Sequence, residues 1–124
     1  MKTRDALPAD LRRALVDLFG DPVDDVEIRE RSLFARLHGR ATATTRRNTI
    51  YLRGSLDDFL QNPELLLHEY FHVLRQWNRG RMSLWDYLLE SCRHGYWQNR
   101  YERQARRFVR LRRQAFERGL AGRG

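Results

Sequence analysis

Apolar residues recur along the chain in two periods. Leu11, Leu15 and Leu18 sit at helical spacing behind Pro8 and ahead of Gly20, which predicts a helix over residues 8–19. Residues 23–29 carry Val23, Val26 and Ile28 in an imperfect alternation and read as a strand. Residues 31–38, with Leu33, Phe34 and Leu37, read as a short helix. Residues 41–45 and 49–52 are β-rich and flank Arg46, Arg47 and Asn48, a hairpin turn with Asn at the positive-φ position. Residues 53–61 read as a loop or a short helical turn. Asn62, Pro63 and Glu64 then make a helix start: Asn caps, Pro suits the first turn, and Glu favours the positive end of the dipole. That helix is expected to run to Asn78 or Arg79, with Gly80 ending it. A further helix over 83–93 places Leu84, Tyr87, Leu88 and Ser91 inward, and Gly95 breaks the pattern. The last helix runs from Gln98 to Gly119. Strand, hairpin and three following helices indicate an α+β fold. We expect a small antiparallel or mixed sheet of about three strands packed on the 62–79 helix and two or three further helices.

Composition narrows this picture. The 124 residues suit one domain, with its core over about 23–118, and 41% hydrophobic with 32% charged residues is globular rather than disordered. No apolar run approaches the roughly 20 residues that cross a bilayer. The first residues lack the apolar stretch of a signal peptide, so the chain reads as cytoplasmic unless a non-classical secretion or injection route exports it. Cys92 is the sole cysteine, which excludes an internal disulfide and a cysteine-rich zinc knuckle. The net charge of +8 is concentrated in residues 99–124, where nine arginines face Glu102 and Glu117. A solvated helix face accounts for that excess; an acidic partner docking there is the next reading. Nucleic acid is the weaker one, because Tyr101, Phe108 and Phe116 fall on the apolar side rather than among the arginines.

The chemistry lies in His68-Glu69-Tyr70-Phe71-His72. Histidines four apart share one helix face, so both imidazoles can reach one ion at about 2.0–2.1 Å. Glu69 then points beside the ion, where a general base takes a proton from a metal-bound water. Uncharged neighbours (Leu65, Leu66, Val73, Leu74) suit a helix buried enough to keep the site dry. A third ligand is needed, and the candidates are His94, Glu90 and Glu102. Glu102 is best placed, because Ala105, Val109 and Phe116 follow it at i+3, i+7 and i+14 along the apolar stripe of the last helix.

Residues 66–73, with Glu102 about thirty positions later, resemble the gluzincin branch of the zincin metallopeptidases. More closely, the chain is similar to very short bacterial zincin-like domains that accompany extracellular contractile injection systems and polymorphic effectors. Ala43 to Tyr51 matches their hairpin, and Asn99-Arg100-Tyr101-Glu102-Arg103-Gln104-Ala105 their last-helix opening. The resemblance spans about residues 23–110. It implies one Zn2+ on His68, His72 and Glu102, with Glu69 as general base in peptide-bond hydrolysis. It also implies a sheet edge along the cleft onto which a peptide or protein substrate could add as a strand, with Ile50 and Tyr51 in the hairpin that provides it. Larger gluzincins supply a Tyr or His to the oxyanion from a second subdomain; here Tyr87, His94, Tyr96 and Tyr101 are the candidates for oxyanion or substrate contacts. The alternative functions are a zinc-holding, non-catalytic domain of an effector or injection-system protein and a basic nucleic-acid-binding module.

Overall fold

The computed structural model describes residues 1–32 and 43–121. Helix α1 (Thr3–Ala6) and helix α2 (Ala9–Phe19) open the chain. Gly20 closes α2 at φ 75°, a left-handed conformation that glycine adopts without strain, and its N–H reaches the Val16 carbonyl. Three strands follow: β1 (Glu27–Arg29), β2 (Ala43–Arg46) and β3 (Thr49–Leu52). Then come α3 (Leu56–Leu60), capped by the Ser55 hydroxyl, and α4 (Pro63–Phe71), capped by the Asn62 side chain. Without a break α4 continues as a π-helical segment (His72–Trp77). Two further helices follow: α5 (Leu84–Gln98), kinked at Gly95 with φ 76°, and α6 (Arg100–Ala121).

The fold is α+β, with a mixed sheet in the order β1-β3-β2. β1 runs parallel to β3, and β2 pairs antiparallel with it through the Arg47–Asn48 turn, where Asn48 adopts φ 55°. β3 is therefore the central strand. Ile50 and Tyr51 have neighbours on both sides, and among the described residues the outer strand of their hairpin is β2. The strand expected over 23–29 shrinks to its last three residues. Val26 N–H turns back onto the Val23 carbonyl, and Thr3 N–H takes the Val26 carbonyl, so residues 23–26 form a turn docked on α1. Val23 and Val26 are nevertheless fully buried. The helix expected over 31–38 lies almost wholly outside the described residues, as do positions 41 and 42 of the first hairpin strand.

The main core draws on every layer, from Ala6 to Phe116, and so begins earlier than residue 23. Leu15, Ile50, Leu66, Leu67, Tyr70 and Val73 are at its centre, with Phe19, Phe71 and Phe108 stacked along its flank. A second cluster of Trp77, Met82 and Tyr101 closes the far end of the ligand helix. α5 departs from expectation. It buries none of its residues, and Leu84 and Leu88, expected inward, are exposed. The reason is its placement: among the described residues α5 packs mainly on α6 and borders a cavity, with Tyr87 reaching the Trp77–Met82–Tyr101 cluster while Leu84 and Leu88 stay outside the main core. No helix among the described residues is long and apolar enough to cross a membrane.

Candidate metal centre

Two antiparallel helices make the site. The opening of α4 is fixed by Asn62, whose Oδ1 accepts from Leu65 N–H at 3.2 Å, and by Pro63 in the first turn. Buried Leu66, Leu67 and Tyr70 turn one broad face of this helix to the core. The remaining side, with His68, Glu69 and His72, then faces α6. There Ala105, Val109 and Phe116 dock the helix, and Glu102 in its first turn points back at the histidines. Asn99 sets where α6 begins. Fully buried, it accepts from Tyr101 N–H at 2.9 Å and donates to the Tyr87 carbonyl and the Ser91 hydroxyl of α5.

His68 Nε2 lies 3.0 Å from Glu102 Oε2, and His72 Nε2 lies 3.1 Å from Glu102 Oε1. The two Nε2 atoms are 3.1 Å apart. Ligands bound tetrahedrally at 2.0–2.1 Å are separated by about 3.3 Å, so each of these separations is close to what a shared ion requires. His72 strengthens the fit. Its Nδ1–H donates to Gln76 Oε1 at 2.6 Å, while Gln76 Nε2 donates to the Tyr101 carbonyl and to Gln104 Oε1. Because the Tyr101 carbonyl can only accept, the Gln76 amide has one orientation, and the proton of a neutral His72 sits on Nδ1. Its Nε2 lone pair then faces another ring nitrogen and a carboxylate, an arrangement that calls for a cation between them. His68, His72 and Glu102 are thus close enough to hold one metal ion.

Electrostatics follow from burial and proximity. For Glu102, burial alone would raise the pKa. The charge of His72, hydrogen bonds from both imidazoles and the charge of His68 outweigh it and hold the carboxyl well below its usual range. For His72, burial works downward, but Glu102, with help from Glu69 and Gln76, pushes it up to about 9. Glu69 moves the other way from Glu102: burial raises its pKa, and the two histidines only partly oppose that. No group among the described residues hydrogen-bonds the Glu69 carboxylate. It is 5% exposed, yet it borders two cavities, one of about 1240 Å³ between α4 and α6 and one of about 160 Å³ beneath α5.

The structure distributes the other candidates unevenly. Tyr87 donates to Glu102 Oε1 at 3.3 Å and borders the smaller cavity. Tyr96 borders both cavities beside Glu69, and its phenol is pushed up by loss of water and by the Glu102 and Glu69 charges. Tyr101 is not at the site: it is buried with Trp77 and Met82, behind the ligands. His94 is also absent from it, because it lies on the outer face of α5 with Nε2 3.9 Å from Glu90. Glu90, the other alternative ligand, accepts from Arg100 N–H and stays outside the cluster. Gln76 escaped the sequence reading, although its place four residues after His72 was a usable signal.

A sequence model of the eCIS core domain, a module of extracellular contractile injection systems, matches residues 6–80. The chain belongs to the eCIS core domain family. In this eCIS core domain the match takes in α2, the sheet and the whole ligand helix, with His68, Glu69 and His72. Glu102, Tyr87 and Tyr96 lie beyond it. No curated protein and no solved structure matches the chain.

Proposed function

We propose that this chain is a zincin-like metallopeptidase domain that hydrolyses peptide bonds, with zinc on His68, His72 and Glu102 and Glu69 as general base. The observation that carries the reading is Glu69. Its side chain is mostly buried and no group among the described residues hydrogen-bonds it, so its carboxylate is left to face the three converging metal donors and the two cavities it borders. A donor set of two imidazoles and one carboxylate favours zinc over calcium or magnesium, which take oxygen ligands. Zinc held there would supply Lewis acidity toward water and a peptide carbonyl.

The protein's own groups would do the rest. Glu69, its pKa raised by burial, accepts the proton of the attacking water and returns it to the leaving amine. Tyr96, which borders both cavities, would donate its hydroxyl proton to the developing oxyanion. Tyr87 holds Glu102 in place from the same helix. Among the described residues β2 is an outer strand of the sheet, and Ala43 borders both cavities, so an extended peptide would pair there and pass Glu69.

One observation favours a second reading, a zinc-holding but non-catalytic injection-system domain. The family match stops at residue 80, before Glu102 and both tyrosines. Zinc content and digestion of a peptide library, measured on the wild type and Glu69→Gln, separate the two. Library cleavage that disappears in Glu69→Gln at unchanged zinc supports the peptidase. A fully zinc-loaded wild type that cleaves nothing leaves the holding role.

A further inference from the structure

The larger cavity is not confined to the metal cluster. It continues as a groove between α4 and α6, away from Glu69 and toward the opening of α4. The two helices run antiparallel, since His68 meets Glu102 while Glu64 meets Arg113. Eleven residues of α6 separate Glu102 from Arg113, so the groove extends about 16 Å. That length accommodates about five residues of extended peptide.

Its walls differ in charge state. At the far end Arg113 is neutralised twice, by Glu64 across the groove and by Glu117 at 3.2 Å on its own helix. Near the metal, Arg106 stacks on the Trp97 ring at 3.9 Å and donates to the Trp97 carbonyl. Between them stands Arg110. It borders the groove and is exposed, and no hydrogen bond or ion pair engages it among the described residues. The groove therefore carries a guanidinium free to meet a carboxylate midway along its length, with a second cation one turn nearer the metal.

We infer that this groove binds peptides carrying a carboxylate, an Asp or Glu side chain or a chain terminus, seated on Arg110 three or four residues from the bond at Glu69. The spacing follows from the helix: eight residues from Glu102 to Arg110 rise about 12 Å, and an extended peptide covers that in three to four residues. The inference rests on the peptidase reading for its register, while the binding it describes can be measured without turnover.

The test uses zinc-loaded Glu69→Gln protein, immobilised and presented with short random peptides, in one arm with free C-termini and in the other with amidated ones. Retained peptides are sequenced by mass spectrometry. The expected result is enrichment of acidic peptides by about threefold to fivefold over the same protein carrying Arg110→Gln, the upper range for one ion pair at an exposed site. Enrichment that survives amidation assigns the carboxylate to a side chain; enrichment lost on amidation assigns it to the terminus. Arg110→Glu should turn the preference toward basic peptides. Retention without acidic preference, preference unchanged in Arg110→Gln, or no retention overturns the inference. Wild-type cleavage of the same mixture is scored separately: cleavage without acidic preference sinks the groove and leaves the peptidase, whereas acidic preference without cleavage does the reverse.

Discussion

Replacing Glu102 by Gln removes one charge from the metal cluster and changes its shape little. In the metal-free protein, Glu102 is the group that turns His72 from a buried imidazole that should lose its proton into one that keeps it up to about pH 9. A rise from 6.5 to about 9 corresponds to stabilisation on the order of 3 kcal/mol, and both side chains are buried, so solvent screens little of it. The raised His72 value means that this contribution is complete below about pH 6.5 and is lost as pH rises through about 9. Glu102, with its pKa lowered, contributes above its ordinary value of 4.5 and loses that contribution only in strong acid. The metal-free wild type should therefore be most stable between about pH 4.5 and 6.5, and Glu102→Gln should flatten that profile. Zinc changes the balance. Its binding expels the proton that His72 and Glu102 share, so wild-type affinity should rise about tenfold per pH unit up to about pH 9. Losing one of three ligands should weaken zinc about 100-fold, taking about 3 kcal/mol per ligand from the known range for zinc sites. Urea unfolding at acidic and alkaline pH, with and without zinc, and zinc competition against a chelator measure both effects. Zinc affinity in Glu102→Gln within threefold of wild type, or an unaltered metal-free pH profile, would refute the reasoning.

Other substitutions separate the remaining roles. Glu69→Gln should leave zinc stoichiometry unchanged and lower turnover by about 10²–10⁴-fold, read as kcat on any peptide the wild type cleaves. Gln76→Ala removes the acceptor of His72 Nδ1–H and should weaken zinc by about 10–100-fold; an unchanged affinity would show that the Gln76 bridge to Tyr101 and Gln104 does not set the imidazole. Tyr96→Phe should cut kcat by about 10–100-fold with little change in KM or zinc content, whereas a KM effect alone would make Tyr96 a binding group. Leu66→Ala, at a fully buried position, should cost about 2–5 kcal/mol in unfolding with or without zinc.

Much of the centre was legible because it depends on local spacing. Asn62 and Pro63 cap the ligand helix as their residue types require, the four-residue interval from His68 to His72 sets one helix face, and the stripe of Ala105, Val109 and Phe116 turns Glu102 inward. The parts that escaped depend on partners distant in sequence. Gln76 is buried only because the Tyr101 carbonyl and Gln104 arrive from α6. The outward stripe of α5 has the same periodicity as an inward one, and nothing local says that it borders a cavity. Which strand of the hairpin lies outside, among the described residues, is decided by β1 pairing with β3, a contact made across more than twenty residues.

The π-helical turn after His72 has a consequence in chain length. Asn78 N–H reaches back five residues to the Val73 carbonyl, so residues 73–77 hold one more position than an α-helical turn would. Before it, the helix is set to α6 through the histidines. Beyond it, the helix is set to the hairpin through Trp77 Nε1 on the Thr45 hydroxyl and Asn78 on Asn48. If the same residues wound as an α-helix instead, everything downstream would turn by about 100°. His68 and His72 would stay opposite Glu102, while Trp77 and Asn78 would swing off the sheet. The segment works as a gearing between two partners, and it ties the metal cluster to the hairpin by a count of residues.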